Sequence, residues 1–160
     1  MSVGFPLADT SLVLDNDLFT HWRNKHPYVL REIAEYTSRL KDIPALTSVT
    51  LFEALWGFEN AAAKKEVTDE ESMRYRGRID QLSESCMVLP FDRTAAAIAA
   101  YSFARLSRSE QKKHWRDLFT TATALSHGHG VATRTKSDFE LIAKNLPSDF
   151  PILRLAIWKP

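Results

Sequence analysis

The sequence has little cysteine, little net charge and no long apolar segment. The single cysteine, Cys86, excludes an internal disulfide bond and fits a reducing cytoplasm. The 21 basic and 20 acidic residues nearly cancel, so the net charge of +1 gives no general attraction to nucleic acid or to a membrane surface. No apolar run approaches the roughly 20 residues of a membrane span, and the N-terminus lacks the pattern of a signal peptide. We therefore expect a soluble cytoplasmic protein, on which any polyanion must bind a local patch of charge.

The length and the pattern of the chain predict its organisation. A chain of 160 residues suits one domain with a sizeable core, and it has no repeat, low-complexity tract or linker, so we predict a single domain over 1–160. Short β-branched segments alternate with helical patterns, which predicts an α/β fold with a parallel sheet covered on both faces. The predicted strands are 11–15, 45–50, 86–89, 130–133 and 152–157, and the predicted helices include 28–40, 68–84 and 91–106.

Acidic residues recur where these elements begin or end. Asp15 follows the first predicted strand, at the edge of a parallel sheet where ligands bind. Asp117 precedes the uncharged run 118–126, which predicts a helix that is buried on most sides and begins close to this acid. A carboxylate at such a place lies at the rim or needs a partner, and a metal ion would be one.

Each acid taken alone also has a purely structural explanation. Asp15 could be a turn residue at the end of a strand, and Asp17 could cap the helix that follows. Glu53 lies three residues after Thr50, which is the spacing of a helix capping box. These explanations leave the recurrence of acids at strand ends and at buried helix starts without a cause.

Three segments of the sequence carry a resemblance to a known family. LVLDNDLF, SVTLFEALWGFE and RDLFTTATALSHGHGVATRTKSDFELI occur in this order between residues 11 and 143. Together they resemble the motifs of PIN domains, especially those of VapC-type ribonuclease toxins. The resemblance implies a PIN-like three-layer sandwich, with a central mostly parallel sheet and helices on both faces. It also implies an endoribonuclease of a type II toxin–antitoxin pair, with Mg²⁺ or Mn²⁺ held by an acidic cluster.

The resemblance assigns the site residue by residue. Asp15 matches the first acid of the family, Glu53 the second and Asp117 the third, and we expect all three to bind metal and take part in catalysis. Thr135 stands where the family usually has Asn or Asp. The fourth ligand is therefore open between this hydroxyl and Asp138, which could equally cap the next helix. Supporting roles are expected for Asp17, Thr133 and Thr135.

Basic residues flank the expected site on both sides. Phosphate contacts by a few of them would give a salt-dependent affinity for RNA in spite of the near-neutral total charge. The same residues could instead form an ordinary solvated face, and an arginine after the fourth predicted strand could simply finish that strand. The candidates for contacts with RNA phosphates are Arg116, Arg134 and Lys136.

The resemblance further implies two protein partners. One is a cognate antitoxin that inserts a segment into the acidic groove, and the other is a second copy of the chain, because PIN toxins commonly form homodimers. The chain has more surface aromatic and apolar residues than a small monomer needs, such as Tyr28, Trp56 and Phe58, and we predict the dimer without placing its interface.

Two further possibilities remain at this stage. The spacing of His127 and His129 crosses a predicted glycine cap at Gly128, and no cysteine is near, so we predict no structural zinc site there even with His114 close by. The alternative function is a PIN-fold RNA- or protein-binding module with weak or lost catalysis, of which the neutral Thr135 would be the sign.

Overall fold

The computed structural model describes residues 3–160 and places five short strands among seven helices within that range. The strands are β1 (Leu12–Leu14), β2 (Leu46–Thr47), β3 (Val88–Leu89), β4 (Gly130–Thr133) and β5 (Leu155–Ile157). The helices are α1 (Asn16–Arg23), α2 (Pro27–Leu40), α3 (Ser48–Ala63), α4 (Asp69–Ser85), α5 (Arg93–Phe103), α6 (Arg108–Ser126) and α7 (Lys136–Lys144). None of these helices is long and apolar enough to cross a membrane.

Every strand pairing among residues 3–160 is parallel. The order β1-β4-β5 forms one sheet, and β2 pairs with β3 in a second ladder. A bridge between Val13 and Ala45 joins the two ladders, and Ala45 donates to the carbonyl of Leu12 at 2.9 Å. The strands therefore follow the spatial order β3-β2-β1-β4-β5, and the carboxyl ends of β1 and β4 lie side by side.

Helices cover both faces of this sheet, as the sequence predicts. Side chains alternate between the faces of a strand, so Val13 and Val131 point into one apolar cluster with α5, α6 and α7. Leu12, Leu14 and Ala132 point into the other cluster, with α1, α2, α3 and α4. Strands buried on both faces are apolar throughout, which explains why the first and fourth predicted strands are easy to recognise.

The second half of the predicted strand 45–50 is wrong. The strand ends at Thr47, whose hydroxyl accepts from the backbone nitrogen of Thr50 at 3.1 Å and caps α3. β-Branched residues favour a strand, but the cap satisfies a free helix N–H and starts the helix at Ser48. Thr50 therefore lies inside α3, so the predicted capping box between Thr50 and Glu53 is wrong as well.

The start of α6 also differs from the prediction. The helix begins at Arg108, where Ser107 and Glu110 form a capping box, and it continues without a break to Ser126. The prediction that a helix begins close to Asp117 is therefore wrong, since this acid lies near the middle of 19 helical residues. Gly128, with φ of +72°, follows the last turn and ends the helix as predicted.

Candidate functional site

Asp15 connects the end of β1 to the start of α1. The residue is 7% exposed, and one carboxylate oxygen accepts from the backbone nitrogen of Leu18 at 2.9 Å, which caps α1. The other oxygen accepts from the hydroxyl of Thr133, the last residue of β4, at 2.6 Å. The predicted cap role of Asp17 is therefore wrong, because Asp15 makes the cap while its carboxylate stays at the edge of the sheet.

Three acids from different elements interact at this edge. Burial raises the pKa of Asp15 to about 6 and the pKa of Glu53, in α3, to about 7. Burial and, after it, the charges of Asp15, Glu53 and Asp138 together raise the pKa of Asp117, in α6, to about 7. The charge of Asp15 acts on Glu53 in the same direction. The fold thus brings the three predicted ligands together, close enough for their charges to repel.

Two arginines offset part of this negative charge. Arg116 lowers the pKa of Glu53 and of Asp117, against the larger effect of burial. Its guanidinium lies over the rings of Trp56 and Trp115, at 5.3 and 5.1 Å from their centroids. Arg134 lowers the pKa of Asp15. Of the predicted phosphate contacts, these two therefore face acids of the site.

The predicted supporting residue Asp17 lies exposed on the rim. Its carboxylate accepts from the guanidinium of Arg134 at 3.4 Å and lies 3.8 Å from the Nε2 atom of His21. The ring of His21 also hydrogen-bonds the hydroxyl of Tyr28. Tyr28 is only 6% exposed, so its prediction as a surface aromatic is wrong, because this hydrogen bond satisfies its one polar atom and lets the ring pack inward.

The residues after β4 divide into exposed and inward-facing ones. Thr135 is exposed, makes no side-chain cap on α7, and donates through its backbone nitrogen to the hydroxyl of Thr133 at 3.0 Å. Lys136 is exposed and pairs with Glu140 at 3.2 Å. Asp138 lies within the first turn of α7, after its N-cap residue, so the prediction of Asp138 as the cap is wrong. Its charge instead acts on Asp117.

His114 is a site residue that the sequence reasoning missed. The residue is 5% exposed, and its Nδ1 atom lies 3.9 Å from Oδ1 of Asp138. One ligand atom each of His114, Asp117 and Asp138 lie within 4.8 Å of one another. The signal was present, because residues three apart on a helix share a face and His114 precedes Asp117 by three. His127 is directed elsewhere, with its Nε2 atom 3.0 Å from the carbonyl of Pro90.

The donor chemistry of this edge fits a divalent cation. Carboxylate oxygens are the ligands that Mg²⁺ and Mn²⁺ prefer, and four of these groups meet here. Four carboxylates against the guanidinium groups of Arg116 and Arg134 leave an excess of negative charge when all are ionised. A bound cation would remove the repulsion between the acids, which the buried carboxylates alone cannot do.

Comparisons with solved structures identify the fold. A chain of DNA-bound VapBC from Salmonella typhimurium is similar with a TM-score of 0.68 and 22% identity, over 94% of this chain and 99% of that one. A chain of VapBC2 from Rickettsia felis, bound to a DNA fragment from its promoter, has a TM-score of 0.62 and 18% identity, over 92% of this chain and 98% of that one. A chain of VapBC-5 from Mycobacterium tuberculosis, a member of the VapBC family of toxin-antitoxin systems, has a TM-score of 0.56 and 22% identity, over 94% of this chain and 99% of that one.

No protein-family model and no curated protein sequence matches the chain. The structural likenesses nevertheless cover more than nine-tenths of it and come from toxin–antitoxin complexes. They confirm the predicted fold, a PIN-like α/β sandwich with helices on both faces of a parallel sheet.

Proposed function

We propose that the chain is a metal-dependent endoribonuclease and the toxin of a type II toxin–antitoxin pair, acting in the cytoplasm. The observation that carries the proposal is the convergence of Asp15, Glu53 and Asp117 from three elements on one edge of the sheet. A role in capping helices would not explain why three carboxylates lie buried and close enough to repel one another. The similarity in fold to VapBC complexes supports the same conclusion.

The three acids would hold Mg²⁺ or Mn²⁺, with Asp138 as the candidate fourth ligand. Such a cation supplies an activated water for attack on a phosphodiester and neutralises charge on the leaving oxygen. The hydroxyl of Thr133 and the backbone nitrogen of Leu18 hold the two oxygens of Asp15 in fixed directions. A ligand fixed in this way loses little conformational freedom when it binds metal.

Protons compete for the same carboxylates. Because the pKa of Glu53 and that of Asp117 are raised to about 7, these groups are partly protonated at neutral pH when no cation is present. Binding of a cation would release those protons. We therefore expect metal affinity and RNA cleavage to increase as the pH rises through 7.

The rim of the site provides basic groups for RNA. Arg134 and Lys136 are placed on the carboxyl side of β4, next to the acids, with their side chains partly or fully exposed. Arg116 lies near enough to Glu53 and Asp117 for its charge to act on both. Phosphate contacts from these residues would hold the RNA backbone across the acidic edge without reading its bases.

An antitoxin and a second copy of the chain are the proposed protein partners. The acidic edge is the surface on which a basic segment of an antitoxin would bind, since its positive charge would replace that of the cation. For the homodimer, Trp56 is 49% exposed, and Phe52, one turn earlier on α3, is 50% exposed. Exposed apolar area of this kind is common at interfaces.

RNA cleavage in vitro tests the proposed function. The purified chain should cut a single-stranded RNA with Mn²⁺ or Mg²⁺ and should stop when a chelator is added. Asp15→Asn should abolish cleavage and keep the fold, because Asn caps a helix about as well as Asp. The matched control is Asp92→Asn, since Asp92 caps α5 through the backbone nitrogen of Ala95 at 2.8 Å. Cleavage by the Asp15 variant at the normal rate would contradict the proposal.

The neutral, exposed Thr135 favours the second candidate, a PIN-fold binding module with weak or lost catalysis. In that case RNA would bind to the chain and remain intact over the whole range of Mn²⁺ concentrations. A mobility-shift assay beside the cleavage assay separates binding with cleavage from binding alone.

A further inference from the structure

We infer that His114, Asp117 and Asp138 form a second cation position that selects a transition metal such as Zn²⁺ or Co²⁺ over Mg²⁺. The position shares Asp117, and the candidate fourth ligand Asp138, with the site of the proposed function. It extends that function by naming which metals the side of the site next to His114 would bind. It rests on the proposed function for the role of Asp117 and on separate observations for the other two residues.

The first observation is an unsatisfied nitrogen. His114 is 5% exposed, and its Nδ1 atom is fully buried without a hydrogen-bond partner among the described residues. Buried polar atoms without partners are rare in folded proteins, and each one calls for an explanation. Asp138, at 3.9 Å, is too far away to accept a hydrogen bond from this nitrogen. A cation between the two groups would satisfy both.

The second observation is the geometry of the three side chains. Their ligand atoms lie within 4.8 Å of one another, and the side chains come from two helices that pack together. Zn²⁺ binds nitrogen and oxygen at about 2.1 Å in a tetrahedral arrangement, so two of its ligands lie about 3.4 Å apart. Side-chain shifts of less than about 1 Å would therefore close the cluster around an ion of this size.

The scaffold restricts larger movements of these residues. His114 and Asp117 are one turn apart on α6, where Leu118 is fully buried. Asp138 precedes Phe139, which is 1% exposed and anchors the first turn of α7. The cluster is thus held by packed helices, which fix the direction of a ligand better than loops do.

The mixture of ligands decides the choice of metal. An imidazole nitrogen favours Zn²⁺ and its neighbours in the first transition row, whereas Mg²⁺ prefers oxygen ligands and bound water. Asp15 and Glu53, whose charges also act on Asp117, offer oxygen alone. The two positions therefore differ in chemistry, and removal of the imidazole should change the affinity for Zn²⁺ and spare that for Mg²⁺.

Metal binding by the full chain tests this inference without any RNA. After treatment with a chelator, the protein is titrated with Zn²⁺ and with Mg²⁺ in a calorimeter, and with Co²⁺ by visible absorption. We expect His114→Gln to weaken Zn²⁺ binding at least about tenfold and to alter the Co²⁺ spectrum. The Kd for Mg²⁺ should stay within about twofold, since its oxygen ligands remain.

Two further variants keep the test decisive. Asp138→Asn should also weaken Zn²⁺ binding more than Mg²⁺ binding. Because Asp138 lies near the surface on α7, this variant replaces His114→Gln in the test if His114→Gln does not fold. His127→Gln is the matched control, because its ring bonds the carbonyl of Pro90 and lies outside the cluster. Its metal affinities and Co²⁺ spectrum should be those of the wild type.

The results separate this inference from the proposed function. An unchanged Zn²⁺ affinity in the His114 and Asp138 variants would overturn the second position and leave the two side chains as a simple ion pair. Wild-type protein that binds Zn²⁺ no more tightly than Mg²⁺ would overturn it as well. Loss of the proposed nuclease function would instead appear as RNA that stays intact with every metal, while the binding curves remain interpretable.

Discussion

The hydroxyl of Thr133 donates a 2.6 Å hydrogen bond to Asp15 across 118 positions of sequence. The bond joins the carboxyl ends of β1 and β4, and it lowers the pKa of Asp15 against the larger effect of burial. Thr133 therefore acts as a positioning residue, which keeps a buried carboxylate both oriented and easier to ionise.

Replacement of Thr133 by Val should remove this donor and raise the pKa of Asp15 further. Because more of the carboxylate is then protonated, metal affinity at neutral pH should fall by about 10- to 100-fold, as for other residues that orient ligands. The rate profile should shift to higher pH and recover at high Mn²⁺, which a merely structural role would not produce. Thr123→Val is the control, since its hydroxyl bonds the carbonyl of Phe119 instead.

Substitution of Asp117 by Asn should abolish cleavage and stabilise the metal-free protein at alkaline pH. The pKa of Asp117 is raised from 3.8 to about 7 in the folded chain, so ionisation costs stability that accumulates as the pH rises between these values. The variant should therefore show a smaller loss of Tm between pH 5 and 8 under chelation. A pH dependence of Tm identical to that of the wild type would contradict the raised pKa.

Metal removal should have a larger effect at high pH than at low pH. Since Asp15, Glu53 and Asp117 all have raised pKa values, the metal-free chain becomes less stable as the pH rises through 6 and 7. Saturating Mn²⁺ binds the ionised acids, so the gain in Tm should be several degrees larger at pH 8 than at pH 5.5. Scanning calorimetry with and without a chelator measures both gains, and equal gains would argue against binding at these acids.

Substitution of Arg116 by Lys should impair the site although it keeps the charge. The planar guanidinium lies over two tryptophan rings, a contact that an ammonium group on a flexible chain does not reproduce. We expect the pKa of Glu53 to rise and cleavage at neutral pH to fall by about tenfold, for a shift of about one pKa unit. The control is Arg105→Lys, since the guanidinium of Arg105 lies over the ring of Tyr101 on α5, and this variant should cleave RNA normally.

The chain should have twice its mass of 18.2 kDa in solution. Phe52 and Trp56 expose apolar area on the same side of α3, which a homodimer would bury. Phe52→Glu should then shift the species toward the monomer, whereas Met73→Glu, at an exposed position on α4, should not. Light scattering at micromolar concentration measures both, and a wild-type mass of 18.2 kDa would contradict the dimer.

The fold and the position of Asp15 could be predicted because their signals are local. Apolar strands buried on both faces alternate with amphipathic helices, and Asp15 follows such a strand directly. Glu53 and Asp117 carry no such local sign, and only the resemblance to a family placed them beside Asp15. Their interaction depends on how α3 and α6 pack, which the pattern of single elements does not contain.

The errors arose where a local preference competed with a cap or with packing. The pattern around Thr47 and Ser48 predicts a strand, but the cap formed by Thr47 ends the strand and starts α3 at Ser48. The helix was predicted to begin close to Asp117, where the uncharged run starts, although Ser107 and Glu110 already carried the signature of a capping box. His114 was considered only as a structural zinc ligand beside His127 and His129, and the sequence does not show that Asp138, on a different helix, lies near it.

The cap formed by Asp15 affects how such a chain could evolve. The residue holds the first turn of α1 and also belongs to the proposed metal site, and Asn can perform the first task but brings no charge to the second. The codons of Asp and Asn differ by one base. A lineage under selection against the proposed toxicity could therefore lose activity through a single mutation and keep a folded protein able to associate with its partners.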